Sequence, residues 1–456
     1  MRLSRRAVIL VTAVSLGPAL PRFATASGPG VVPPRLRTTL LGAKGALADL
    51  DGSDVLVGVT WAAGEPEVQV RWHTPRGWTT FETLEHDSDA PDPAERTQAR
   101  RGTAPAWRPR GATLVEVRVR GAAQDLRLVR VGDGVARRAG GFGLSSAAAA
   151  ERRPLLGTVR TRADWGADES LRTDKPSYAT SVKAVVVHHT AGSNDYTQAD
   201  VPRRIRADYA YHVQGRGWSD LGYNLVVDRF GGIWEGRAGG LGRATIGSHA
   251  AGFNTGTLGV SLLGDMSKAA PTAETMQALS RVAAYAAATW QFDPTGTVTL
   301  TSGGSPRYRS GTKVTLGRVH GHKDTGKTSC PGSLHDRLDQ IRTTAARMLG
   351  PGPRITSVTV TGAPVHAPTP LVVAGELSIE APWVVEVHDR DGVTVARALG
   401  EDRRPHLEWN GLRSDRAALV PAEPGEYSWH VRADDGFHPR ADRSGPVQVG
   451  LPLVPL

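Results

Sequence analysis

The sequence predicts a multidomain chain: a central α/β domain, with a mixed β-sheet flanked by helices, between two all-β sandwich-like domains. Three observations predict it. At 456 residues the chain is too long for one core. Residues 35–135 and 355–450 consist of short alternating apolar–polar runs broken by Gly, Pro and Asp turns. Between them, 156–350 mixes β-branched runs with helical periodicity.

In the first β region the runs are "SDVLVGVTW", "EPEVQVRWHT", "ATLVEVRVRG" and "QDLRLVRVG". No chemistry is assigned to this region. The shift to "ARRAGGFGLSSAAAAERRPL" over 136–155 reads as a flexible linker. In the central region strands are expected at 183–188, 223–229, 232–236 and 257–263, and helices at 197–212, 272–290 and 333–349. The second helix has Thr272 as cap, Glu274 in its first turn and an apolar stripe through Met276, Leu279, Val282 and Ala286. A hairpin-like insert covers 296–316. "PGPR" at 351–354 marks the next boundary. Beyond it, "TSVTVTG", "GELSIEAP", "WVVEVHDRDG" and "GEYSWHVRADDG" are sandwich-like again.

The formal net charge is +10, carried mostly by Arg. This balance favours anionic partners such as cell-wall polymers, a membrane surface or nucleic acid. No nucleic-acid motif accompanies it, so nucleic acid is not expected as a partner. "MRLSRRAVILVTAVSLGPALPRFATASG" has a charged start, a short apolar stretch and an "ATA" ending at Ala26. It reads as an export signal over 1–26, and "SRRAVI" resembles the twin-arginine type. The apolar run is too short to span a bilayer, and no integral membrane span is expected elsewhere. The expected location is secreted, in the cell wall.

An exported chain with a single cysteine cannot form an internal disulfide. Cys330 therefore asks for another explanation. It lies in "RVHGHKDTGKTSCPG" (318–332), shortly after His322. A strand-end pair, His188 and His189, closes the run "VVVHH". Successive strand residues face opposite sides, so only one of the pair can join His322 and Cys330 on an ion. The alternation before the pair does not choose between them. Three protein ligands with a fourth position left for water is the pattern of catalytic zinc. There is no H-E-x-x-H helix, which disfavours an ordinary zinc peptidase. Asp324 is a candidate to orient His322, with a solvated loop carboxylate as the alternative.

"VVVHHTAG", "DLGYNLVV", "GSHAAGFNTGTLGVSLLG" and "GHKDTGKTSCPG" occur in that order over about 160 residues. Together they resemble the peptidoglycan recognition proteins, a family homologous to phage-lysozyme-type zinc N-acetylmuramoyl-L-alanine amidases. The resemblance covers roughly 160–345, under half of the chain. It implies that His188, His322 and Cys330 are the zinc ligands and that Tyr223 is catalytic. Some members lack the cysteine and only bind peptidoglycan; the presence of Cys330 implies an active amidase. Thr328 matches a position where the phage enzyme has lysine, which leaves the identity of the general acid open. His212, Trp218, Arg237, His249 and Asn254 match positions lining the glycopeptide groove. His189 is read as structural. Residues 406–435 resemble the Ig-like domain of flagellar hook-capping proteins through "W-x-G … P-x-G-x-Y", which suggests wall anchoring, substrate presentation or a spacer.

Overall fold

The strand Ala184–His189 is buried along its whole length, as its uninterrupted apolar sequence requires of a parallel strand covered on both faces. It sits inside a six-stranded sheet. In spatial order the sheet runs Val159–Arg160, Ile233–Glu235, Leu225–Val227, Thr257–Leu262, Ala184–His189 and Val319–Gly321. Pairings are parallel except between Leu225–Val227 and Ile233–Glu235. The sheet is therefore mixed, as expected. This computed structural model describes residues 34–91, 99–132 and 155–450, apart from 364, 366–368, 416, 417, 436, 437 and 439. The expected export signal and all but the last residue of the expected linker lie outside the described residues.

One face of the sheet, with Val185, Val187, Val260 and Leu262, packs against the helix Ala273–Trp290. Thr272 caps that helix by accepting from the Thr275 N–H (3.1 Å). Leu279, Val282 and Ala286 are buried beneath it and Met276 is partly so. The other face carries Val226 and Trp234 against Ile205 and Tyr209 of the helix Val201–Ala210. The expected helix 197–212 is in fact a tight turn at Gln198–Asp200, this α-helix, and a widened π turn over Tyr211–Gly215. Similarly, 333–349 divides into a 3-10 stretch at Gly332–Arg337 and the helix Leu338–Leu349. The strand expected at 223–229 is shorter. Asp228 ends it by accepting from the N–H groups of Phe230 and Gly232, which turns the chain into the next strand. The insert forms an antiparallel hairpin of Thr297–Thr301 and Lys313–Gly317.

The N-terminal strands form two principal sheets around Val57, Val59, Trp61, Val68, Val70, Trp72, Val115 and Val117, with a further two-stranded pairing of Ala63–Gly64 and Ala123–Gln124. The strand Asp54–Trp61 is central in one sheet and Glu67–Thr74 in the other. Glu82–Leu84 pairs with Glu67–Thr74, whereas Arg101–Gly102 pairs with Asp54–Trp61. The chain after Leu84 thus leaves one sheet and returns to the other, and its first part runs over the central unit. The C-terminal strands also form two principal sheets, around Val373, Val385, Val387, Trp409 and Val431.

The N-terminal and central units share a core. Leu56, Trp107, Val129 and Val131 pack with Ala207, Ala210 and Tyr211. Tyr211 donates to the Thr103 carbonyl (2.9 Å). Arg216 is buried and donates to the carbonyls of Arg100 (2.8 Å) and Asp89 (3.3 Å) and to the Asp87 carboxylate.

Deleting a buried leucine leaves a cavity, so Leu279→Ala is expected to cost about 2–5 kcal/mol. Thr272→Ala removes only a helix cap and should cost about 1 kcal/mol. Chemical denaturation followed by tryptophan fluorescence checks both values and their order.

Candidate metal centre

Side-chain alternation along Ala184–His189 separates the two histidines. His188 faces the helix Val201–Ala210 side of the sheet. His189 turns to the other face, where its Nδ1 accepts from the Met266 N–H (2.9 Å) and lies 3.7 Å from Asp265. His322 follows directly on Val319–Gly321, the parallel neighbour of the His188 strand. The loop after it brings Cys330 back, with its thiol sulfur accepting from the His189 N–H (3.3 Å). His188, His322 and Cys330 are all buried, with one donor atom from each lying within 4.8 Å of the others.

The orientation of the rings is set from outside. His188 Nε2 meets His249 Nδ1 (3.1 Å), and His322 Nε2 meets the Ser88 hydroxyl (3.2 Å). Both rings therefore turn Nδ1 inward: His188 Nδ1 lies 3.9 Å from the Cys330 sulfur. Such outer partners fix ring orientation around a metal. Asp324 does not serve His322. It pairs with His335 (3.0 Å) and accepts from the Gly321 N–H (2.9 Å).

A fourth group, Asp89, faces these donors from the N-terminal unit. Its Oδ1 lies 3.2 Å from His322 Nδ1 and 3.6 Å from His188 Nδ1, yet makes no hydrogen bond. Its Oδ2 accepts from the Tyr223 hydroxyl (2.9 Å). Zinc–ligand bonds of about 2.0–2.3 Å in a tetrahedron place donor atoms about 3.3–3.6 Å apart. The spacings around Asp89 Oδ1 are of that size. A buried carboxylate oxygen without a donor is costly unless a cation or a proton meets it. The donor set and this orphaned oxygen together fit a divalent ion with a preference for nitrogen and sulfur.

Burial dominates the electrostatics. It pushes His188 well below the usual imidazole range and His322 down to about 3, so both rings are neutral and carry a lone pair for an ion. Burial pushes the Cys330 thiol up. It also raises the Asp89 carboxyl, with Asp87 as the next cause. Tyr223 is pushed well above the usual phenol range by burial and then by Asp89, so it stays a proton donor.

The remaining expected residues are arranged less openly than the resemblance implied. His212, Trp218, Arg237, His249 and Asn254 are only 3, 1, 5, 0 and 0 % exposed. All five are buried; His212 borders the small cavity at the donors, and Asn254 is held against the N-terminal unit through the Ala90 carbonyl. Trp218 stacks on His212 (4.4 Å between ring centroids) beneath the Arg216 guanidinium. His212 Nδ1 accepts from the Gly222 N–H (3.2 Å), and Arg237 donates to the hydroxyls of Ser219 and Ser248 (2.9 Å each). The Asn254 side chain accepts from the His249 and Ala250 N–H groups and donates to the Ala90 carbonyl. Thr328 is half-buried; its hydroxyl accepts from the Cys330 N–H (3.1 Å) and donates to Glu85 (3.3 Å).

The space at the donors is a cavity of about 30 Å³ bordered by Glu85, Asp89, His212, Tyr223, His322 and Cys330. It has room for a water or two. A larger cleft of about 1020 Å³ runs between the N-terminal and central units past Trp107, Asn194 and Lys268, but none of the three donors lines it.

Sequence reasoning missed Asp89, Ser88 and Glu85. The available signal was "LEHDSDAPD" (84–92), an acidic stretch with a histidine in an otherwise Arg-rich chain.

Residues 178–333 match the family described as N-acetylmuramoyl-L-alanine amidase. Peptidoglycan-recognition protein SC2 of Drosophila simulans is 28% identical over 186 residues, which is 41% of this chain and 85% of that protein. Peptidoglycan recognition protein 1 of Bos indicus is 32% identical over 177 residues, covering 39% and 79%. Among solved structures, Drosophila PGRP-LB aligns with a TM-score of 0.32 at 24% identity, covering 40% of this chain and 92% of that one. The endolysin N-acetylmuramoyl-L-alanine amidase LysCS of Clostridium intestinale aligns with a TM-score of 0.29 at 21% identity, covering 41% and 94%.

Asp208, on the cavity wall, is fully buried, and burial raises its carboxyl to about 7. Its folded-state value exceeds the unfolded one near 3.8, so wild-type stability falls between about pH 4 and 7 as the unfolded state alone gives up the proton. Asp208→Asn should match the wild type near pH 4. It should gain on it up to about pH 7, by as much as about 4 kcal/mol. Paired denaturation curves across that pH range test this.

Proposed function

Because this chain belongs to the peptidoglycan recognition protein family, we propose that it is a zinc-dependent N-acetylmuramoyl-L-alanine amidase. It would hydrolyse the amide between the lactyl group of muramic acid and the L-alanine that begins the stem peptide. The observation that carries this reading is the convergence of two neutral imidazoles and the only thiol of the chain within 4.8 Å. His188, His322 and Cys330 would hold the zinc. When bound, the ion would polarise the amide carbonyl and supply a nucleophilic water at neutral pH.

The residues of the chain do the rest. Tyr223 would donate its phenolic proton in a hydrogen bond to the oxygen that becomes negative as the amide carbon turns tetrahedral. Its raised pKa keeps that proton in place at working pH. Thr328 Oγ1 would hold the Cys330 N–H and present a hydroxyl to the leaving amine. His249 keeps the His188 imidazole turned inward. Arg237 and Asn254 would shape the wall against which the glycopeptide lies. Hydrolysis would leave a free lactyl carboxylate and a free alanine amino group.

The partner would be the muramyl peptide of peptidoglycan, with anionic wall polymers favoured by the basic charge. The N-terminal sequence supports export to the cell wall. Among the described residues no helix is long and apolar enough to cross a membrane. The C-terminal β unit is proposed as an anchor or a spacer.

Prolonged digestion of purified sacculi tests the reading. New alanine amino termini, without new reducing sugar ends, should appear, vanish with a chelator and return with zinc. Sacculus binding with no cleavage under any condition would favour a recognition protein that does not cut. Tyr223→Phe should retain zinc and lose about a hundredfold or more in rate, whereas Cys330→Ser should lose both zinc and hydrolysis.

A further inference from the structure

The centre described above already has an occupant, and it comes from the same chain. The segment Glu85–Ala90 leaves the N-terminal sheets and enters the site. Ser88 reaches His322, and Asp89 reaches His188, His322 and Tyr223. The Ala90 carbonyl accepts from Asn254 (2.8 Å), and Glu85 accepts from Thr328 and from the Ser329 N–H (3.3 Å each). A drug-sized ligand needs a pocket of about 300–1,000 Å³; with the segment in place only about 30 Å³ remains at the donors.

We propose that Asp89 is a fourth protein ligand to the metal and that Glu85–Ala90 lies where the muramyl peptide would lie, so that the folded chain is a latent enzyme. The proposal rests on the zinc-amidase reading. A catalytic zinc site keeps one position open, whereas four protein ligands make a closed one. Asp89 directs Oδ1 at the donors and gives Oδ2 to the Tyr223 hydroxyl. Those are the two roles that oxygens take at the reacting carbon of an amide: one at the metal, one at the phenol. A dication with the Cys330 thiolate and the Asp89 carboxylate is also electrically neutral, which suits a buried site. Latency would end when the N-terminal unit is lifted off. The packing that holds it down is close: a Cβ on Gly58 would stand 2.4 Å from the Tyr211 hydroxyl oxygen.

The test uses the full chain in four forms: wild type, Asp89→Ala, Asp89→Asn and Gly58→Val. Zinc affinity is measured by chelator competition, and alanine amino termini released from sacculi are measured at saturating zinc. Loss of a residue that merely supports a ligand weakens metal binding about 10–100-fold. Asp89→Ala should therefore bind zinc at least about tenfold more weakly and yet hydrolyse at least about tenfold faster. A purely structural aspartate would not move the two in opposite directions. Asp89→Asn, nearly the same shape, guards against misfolding and should shift both in the same senses. Gly58→Val leaves Asp89 in the chain and should raise hydrolysis by loosening the interface. Unchanged zinc affinity, or slower hydrolysis in both Asp89 variants, overturns the proposal. If no form cleaves sacculi, the amidase reading fails, and only a loss of zinc affinity beyond about 100-fold in Asp89→Ala, more than a merely supporting residue gives, upholds Asp89 as a ligand.

Discussion

The architecture turns on one buried carboxylate. Asp89 is nearly inaccessible, faces two neutral imidazoles and a thiol, and has one oxygen without a donor. In a protein interior that arrangement is unfavourable by itself. A dication between the four groups would turn it into an attraction, and would give several otherwise separate features one cause. The two rings are turned inward, the sole cysteine is placed beside them, and a segment of a β unit is threaded into an α/β unit. Arg216 supports that segment from beneath by holding Asp87 and the Asp89 carbonyl.

The sheet supplies the rigidity this needs. His188 is held within a strand paired on both sides, and His322 begins where the neighbouring strand ends. Ligand sites at strand ends are common in such sheets because side chains there are positioned by the whole ladder. The helix Val201–Ala210 does double service. Ile205 and Tyr209 pack on the sheet, whereas Ala207 and Ala210 pack on the N-terminal unit.

Much of this was legible in the sequence. Strand runs, the Thr272 cap and the apolar stripe of the helix Ala273–Trp290 are local signals, and they were read near their observed positions. The alternation rule foresaw that one of His188 and His189 would face the other donors, but it could not say which, since the strand is apolar on both faces. Strand and helix ends were less legible because side chains that turn back on the backbone set them, as Asp228 does. The burial of Trp218, Arg237, His249 and Asn254 was not legible. It depends on packing across long sequence separations, and partly on a segment more than 150 residues away from Asn254. Asp89 carries no spacing relation to His188 or Cys330, so no local pattern could connect them.

On the reading proposed above, a zinc ion is held by His188, His322 and Cys330 and closed off by Asp89. The most direct measurement is a crystal structure of the zinc-loaded full chain, with anomalous scattering recorded at the zinc edge. One zinc peak bonded to those four residues is expected, with the Tyr223 hydroxyl on the second Asp89 oxygen. A zinc carrying a water at its fourth position with Asp89 turned away, or no zinc at these residues, would contradict it.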